Sequence, residues 1–205
     1  MIKSVYYRNE DILDSIIKLH IPSGKFDLDP TYSKGNFYKW ITEPYYKYDI
    51  NPQTENTIKA DCRNLPLKDK SVQSIVFDPP FLATKGPSLE KKDGNNIIVK
   101  NYSCYPNERE LHNFYIDSLK EFYRLLKDKG ILVVKCQDKV SSGNQYFSHC
   151  FIHEQAVKQG FYPIDLFILI ARSRIIGRIK NQHHARKYHS YFWVFKKENK
   201  TVKYV

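Results

Sequence analysis

The sequence predicts an α/β fold: a single, mostly parallel sheet with helices on both faces. Three observations carry the prediction. Short β-branched and aromatic runs alternate with stretches of helical periodicity, the pattern of strands joined by helices. One run, residues 131–134 (Ile-Leu-Val-Val), is continuously apolar, as a strand covered on both faces must be. Acids recur just after strands, at Asp29, Asp49, Asp61 and Asp78, and ligands of open parallel sheets bind outside the carboxyl ends of strands.

The elements follow in order. Residues 9–19 place Ile12, Leu13, Ile16, Ile17 and Leu19 near helical spacing, with Asn9 as the expected cap. Pro22, Ser23 and Gly24 then lead into an extended stretch over 25–29, and residues 46–51 and 57–61 read as short strands. A fourth strand over 74–77 stops abruptly at Pro79 and Pro80, which lack the amide a ladder needs. Residues 82–106 have few periodic apolar positions, and a loop of that length inside a compact domain usually serves function. A helix over 108–127 carries Leu111, Phe114, Tyr115, Leu119, Phe122, Tyr123 and Leu126 on one face, with Gly130 as its expected stop. After the 131–134 strand come a helix near 148–159 ended by Gly160, a strand over 164–170 and a last strand over 189–195. No repeat or linker interrupts residues 1–205, so a single domain is expected.

Composition narrows the function. With 205 residues and 41% apolar content the chain should bury a proper core. No run approaches the roughly 18 apolar residues of a membrane span, and the first residues lack the apolar stretch of a signal peptide. Cys62, Cys104, Cys136 and Cys150 are too scattered for a metal-ligand pair and read as reduced thiols of a cytoplasmic protein. The net charge of +11, from 33 Lys and Arg against 22 Asp and Glu, suits a polyanionic partner, and sixteen tyrosines offer surfaces on which bases can stack. The basic residues Arg172, Arg174, Arg178, Lys180, Arg186 and Lys187 form one phosphate-facing candidate, with Lys85 in the 82–106 loop another. The bland alternative is a solvated basic hairpin. His183 and His184 have no Cys or acid at ligand spacing, so no metal is expected there.

The most informative residues are Asp78-Pro79-Pro80-Phe81. Residues preceding proline are held extended, so this turn can present a carboxylate and a carbonyl side by side with an aromatic ring next to them. Those groups suit a planar ring bearing an exocyclic amine, such as a nucleobase. Asp49 stands 20 residues after Asp29, the spacing from a first turn to a ribose-binding acid. The first turn has a single glycine, Gly35, and so is no dinucleotide fingerprint; a nucleoside cofactor fits better. Asp49 could accept the ribose hydroxyls and Asp61 an adenine amine.

These segments resemble the S-adenosylmethionine-dependent amino-methyltransferases that act on adenine N6 or cytosine N4 in DNA, over most of residues 25–197. Residues 29–35 (Asp-Pro-Thr-Tyr-Ser-Lys-Gly) are similar to the family's first cofactor loop, usually Asp-Pro-Phe-x-Gly-x-Gly, with Ser33 where a glycine is usual. Residues 48–52 resemble its ribose-binding element and residues 61–66 its adenine-binding segment. Asp78-Pro79-Pro80-Phe81 matches the catalytic tetrapeptide, 125–135 resembles the helix-to-strand passage after it and 189–196 the family's final strand. The resemblance implies a Rossmann-like class I methyltransferase fold whose last strand is antiparallel. It implies cofactor contacts at Asp29, Pro30, Thr31, Gly35, Asp49, Ile50, Asp61, Cys62 and Asp78, and catalysis by Asp78, Pro79, Pro80 and Phe81. The aspartate form of the tetrapeptide is associated with adenine N6. The expected activity is therefore methyl transfer from S-adenosylmethionine to adenine N6 of DNA, the target read through 82–106 and 172–188. Two alternatives stand beside it: an RNA methyltransferase acting on adenine N6 or guanine N2, and a catalytically silent nucleic-acid-binding module.

Overall fold

The computed structural model describes residues 1–83, 105–141, 143–172 and 181–204. Strands β1 (Val5–Tyr6), β2 (Leu28–Asp29), β3 (Tyr46–Asp49), β4 (Ile58–Lys59), β5 (Val72–Phe77) and β6 (Leu126–Cys136) are followed by a separate hairpin, β7 (Lys139–Ser141) with β8 (Asn144–Tyr146). Then come β9 (Phe161–Ile170) and β10 (His189–Lys197). Apart from the hairpin the strands form one eight-stranded sheet in the order β1-β9-β10-β6-β5-β2-β3-β4. Every neighbouring pair is parallel except those made by β10, which runs against both β6 and β9. The antiparallel last strand is as predicted.

Strand alternation divides the core in two. On β6, Ile131 and Val133 face one side and Leu132 and Val134 the other. The first side is covered by α1 (Asn9–His20), whose Ile12, Leu13, Ile16 and Ile17 join Phe26, Phe37, Tyr38, Val76, Phe192 and Val194. The second is covered by α2 (Glu108–Leu125) and α3 (Ser148–Gln159). There Leu111, Phe114, Leu119 and Phe122 of α2 meet Ile75, Phe77, Val134 and Phe195. Phe122 is fully buried, its ring centred 4.8 Å from that of Phe77 in an edge-on contact. Burying such a side chain contributes about 1.5–3 kcal/mol, and truncating Phe122 to alanine costs about 3–5 kcal/mol.

Several boundaries differ from those the sequence predicts, each for a physical reason. Asn9 is the first helical residue rather than the cap, a position held by Arg8. The predicted strands over 46–51 and 57–61 contract to β3 and β4, whereas those over 74–77, 164–170 and 189–195 extend. β1 and the β7–β8 hairpin were not anticipated. Helix α2 is capped by the Asn107 side chain, which accepts from the Glu110 amide at 2.9 Å, but it stops before Gly130. Its end is held instead by Lys197 of β10, whose ammonium donates to the carbonyls of Tyr123 and Leu126 at 2.6 and 2.8 Å. Residues 127–130 bulge out between the β5 pairings Val72↔Leu126 and Ser74↔Ile131. Glycine is required at 130 because a Cβ there would sit 2.8 Å from the Lys127 carbonyl oxygen and 3.1 Å from that of Gln73.

Candidate active site

The parallel strands deliver Asp29, Asp49 and Asp78 to one edge of the sheet, with Asp61 two residues beyond β4. The end of β9 at Ile170 and the start of β10 at His189 lie at the same edge, since β9 runs parallel to β6 and β10 returns against both.

Asp29 and Asp78 are linked through Thr31. The Asp78 amide donates to Thr31 Oγ1 at 3.1 Å, while the Thr31 amide and hydroxyl donate to Asp29 Oδ1 at 2.9 and 3.3 Å. The other oxygen of Asp29 accepts from the Tyr38 hydroxyl at 2.7 Å. Burial pushes the Asp29 carboxyl up to about 7 against the opposing effect of these hydrogen bonds, and nearby Asp78 adds to the rise. Asp78 is raised by burial as well, opposed by Lys135.

The turn after β5 is fixed at two of its carbonyls. Pro80 O accepts from the Tyr115 hydroxyl of α2 at 2.8 Å, and Phe81 O accepts from the Lys139 ammonium of β7 at 2.6 Å. Lys139 in turn pairs with Glu108 at 2.9 Å. Within the Asp78 carboxylate, Oδ2 accepts from Lys135 at 3.2 Å, whereas Oδ1 is buried and has no hydrogen-bond partner among the described residues. A buried acceptor left unpaired is costly unless a donor reaches it. Lys135, Lys139 and Tyr115 were missed by sequence reading: the first ends an apolar strand, the second lies in an unanticipated hairpin, and the third sits on an apolar helix face.

The first loop keeps a left-handed backbone at two positions even though only one of them is glycine. Ser33 adopts a left-handed φ of 52° and Gly35 one of 67°. A Cβ at Gly35 would meet the Tyr32 hydroxyl oxygen at 2.5 Å, so glycine is needed there on two counts. Asp49 holds this loop: its carboxylate accepts from the Ser33 amide and the Asn51 amide, each at 2.8 Å. Pro30 is buried beneath the loop and Ile50 is 53% exposed at the rim.

At the third strand end, Asp61 accepts from Arg63 through both oxygens, and this hydrogen bonding holds its carboxyl below the usual range. Cys62 is turned into the core, its thiol 3.5 Å from the Ser118 hydroxyl and pushed up to about 12 by burial. The Cys62 side chain is therefore closed to the strand-end cleft, and only its main chain is available there.

Of the basic candidates, Lys85, Arg174, Arg178 and Lys180 lie outside the described residues. Arg172 is exposed, with its guanidinium 5.8 Å from the Tyr7 ring centre. Arg186 and Lys187 are half-buried beside Gln137, whose amide donates to the carbonyls of Lys187 and His189 at 3.5 and 3.2 Å. Among the described residues no cluster of three or more His, Cys, Asp or Glu could hold a metal ion, and no helix is long and apolar enough to cross a membrane.

Comparison with known proteins gives the family and the fold. Residues 72–205 match the family model N6_N4_Mtase, described as a DNA methylase. No curated protein sequence matches the chain. Among solved structures, TrmN from Thermus thermophilus is 14% identical with a TM-score of 0.51, over 91% of this chain and 48% of its own. A methyltransferase in complex with the Trm112 activator of Haloferax volcanii is 12% identical with a TM-score of 0.53, over 89% and 86%. Both share the fold. TTHA0409, a DNA modification methylase of Thermus thermophilus solved in complex with S-adenosyl-L-methionine, is 20% identical with a TM-score of 0.47, over 71% of this chain and 56% of its own. The chain thus spans about half the length of that protein.

Proposed function

Because this chain belongs to the DNA methylase family of S-adenosylmethionine-dependent amino-methyltransferases, we propose that it methylates the exocyclic N6 of adenine in DNA, with residues 1–205 acting as one domain. The observation that carries the reading is the buried Oδ1 of Asp78, unpartnered among the described residues, in a turn whose Pro80 and Phe81 carbonyls are already taken. Among the described residues the Pro79 carbonyl has no partner either. A carboxylate oxygen and the carbonyl of the next residue, both without a donor, suit the two hydrogens of an amine.

The residues also fit the cofactor. Asp49 has lone pairs to spare after its two amide bonds and can accept ribose hydroxyls. Asp61 can accept an adenine amine if Arg63 yields one oxygen. Asp29, Pro30, Thr31 and Gly35 shape the loop that would lie along the ligand, with Ile50 against its flat face and the main chain of Cys62 beside the adenine. When bound, S-adenosylmethionine supplies an electrophilic methyl carried on a sulfonium.

An exocyclic amine is a poor nucleophile because its lone pair is delocalised into the ring. Accepting its hydrogens at Asp78 Oδ1 and the Pro79 carbonyl favours a pyramidal nitrogen whose lone pair can attack. As the nitrogen–carbon bond forms and the sulfur–carbon bond breaks, positive charge passes from sulfur to nitrogen. The Asp78 carboxylate stabilises that charge and takes up the amine proton that leaves. Phe81 stacks on the base, which must be flipped out of the duplex to arrive there. Pro79 and Pro80 hold the acceptors extended, so that orientation supplies much of the rate. Lys85, Arg172, Arg174, Arg178, Lys180, Arg186 and Lys187 would meet the phosphates.

The test is transfer of a labelled methyl from S-adenosylmethionine to unmethylated duplex DNA and to RNA, followed by nucleoside digestion. Label in N6-methyladenine from DNA supports the reading. Label in N4-methylcytosine changes the base, label only in RNA changes the polymer, and no label favours a silent binding module.

A further inference from the structure

Lys135 is the next-to-last residue of β6, one position beyond the Val134 that pairs with Phe77 of β5, and so stands beside Asp78 where β5 ends. Alternation along β6 turns its side chain to the α1 side of the sheet, with Ile131 and Val133. The ammonium lies 3.2 Å from Asp78 Oδ2 and is surrounded by rings, centred 4.9 Å away in Phe37, 5.7 Å in Phe81 and 5.8 Å in Phe192. Its side chain is 13% exposed. An ammonium so placed is costly without a counter-charge, and so is a carboxylate.

We propose that Lys135 is the positioning residue for the tetrapeptide: by holding Oδ2 it keeps Asp78 an ionised acceptor and turns Oδ1 toward the target amine. The proposal rests on the methyl-transfer reading given above and deepens it. It follows that an aspartate at position 78 depends on this lysine, whereas a neutral residue there would not.

The groups acting on Asp78 from the packed elements support this division of labour. Asp29 of β2, Tyr38 of the Asn36–Tyr38 turn and Tyr115 of α2 each feel the Asp78 charge, and each is an acid or a neutral hydroxyl rather than a cation. Among the described residues, Lys135 is the only cation acting on Asp78. Remove it, and a carboxylate with one oxygen buried loses the cation that opposes the effect of burial, so it takes up a proton more readily. A protonated carboxyl is a weaker acceptor and free to rotate, so Oδ1 is no longer reserved for the substrate.

Two readouts test the inference, and the first needs no activity. In protein labelled with 13C at the aspartate carboxyls, with signals assigned through Asp78→Asn and Asp29→Asn, the Asp78 titration should move up by at least one pH unit in Lys135→Met. It should stay near the wild-type position in Lys135→Arg, which keeps the charge. The second readout is the pH dependence of kcat/KM for methyl transfer. The acid limb should move up by a similar amount in Lys135→Met, with most of the rate recovered at high pH, and should be restored in Lys135→Arg. In an Asp78→Asn background, Lys135→Met should leave the pH profile unchanged. Circular dichroism confirms folding, and Lys135→Gln serves if Lys135→Met does not fold.

An Asp78 titration unmoved in both neutral variants would overturn the inference, as would equal displacement in Lys135→Arg. An inactive wild type with a displaced titration would reject the methyl-transfer reading and keep the pairing. An active wild type with an unmoved titration would do the reverse.

Discussion

The hydroxyl of Tyr115 donates to the carbonyl of Pro80 at 2.8 Å, from a side chain that is only 2% exposed. One bond thus ties the α2 face of the sheet to the turn that presents Asp78, while Lys139 ties the following carbonyl to the β7 strand. Tyr115→Phe keeps the ring and removes the donor. It should cost about 1 kcal/mol of stability, measured by urea denaturation. It should also slow methyl transfer by up to about tenfold, the factor equivalent to about 1.4 kcal/mol of positioning, and leave cofactor binding by calorimetry unchanged.

Asp29 makes stability depend on pH. Its folded pKa of about 7 lies above the ordinary carboxylate value of 3.8, so the folded state keeps a proton that the unfolded chain has already lost. This contribution is fully present below pH 4 and is lost as pH rises through 7. A rise of about three pH units corresponds to about 4 kcal/mol as an upper bound. Asp29→Asn cannot ionise. It should therefore gain stability over the wild type between pH 5 and pH 8, read as a smaller decline in denaturation midpoint over that interval.

Ser33 occupies a left-handed position, with φ 52°, at which a side chain costs about 1 kcal/mol. Ser33→Gly should stabilise the protein by about that amount. Because the Ser33 amide already donates to Asp49 at 2.8 Å, the loop keeps its shape and cofactor affinity should change less than about threefold, a shift below 1 kcal/mol. Thermal denaturation and calorimetry check the two halves of this prediction.

Lys197 is buried with its ammonium on two carbonyls at the end of α2. Lys197→Met leaves both without their charged donor and should cost about 2–3 kcal/mol, seen as a lower denaturation midpoint with an unchanged slope.

The signals legible in the sequence are the local ones. Asp78 was legible because apolar strand, acid and paired prolines are consecutive in the chain, and the strand over 131–134 because four apolar residues in a row have few other uses. Asp29 and Asp49 were legible as strand-end acids, but their present partners were not: Tyr38, Thr31 and Ser33 reach them through the folded loop. Lys135 could have been noticed as a lone cation closing an apolar strand beside the one that ends in Asp78. Its role depends on β5 and β6 being neighbours, which is a property of topology. The stop of α2 was misread for the same reason: basic residues followed by glycine imitate a helix end, while the residue that holds the end, Lys197, is supplied from β10.

The most direct test of the account is single-turnover methyl transfer by Asp78→Ala, paired with calorimetry of S-adenosylmethionine binding. Asp78 is predicted to matter far more to the target amine than to the affinity for the cofactor. Transfer should therefore fall by at least about 10²–10³-fold, the usual loss of a charge-stabilising group in a dry site, while cofactor affinity stays within a few-fold of wild type. Near-normal turnover in Asp78→Ala would contradict the account.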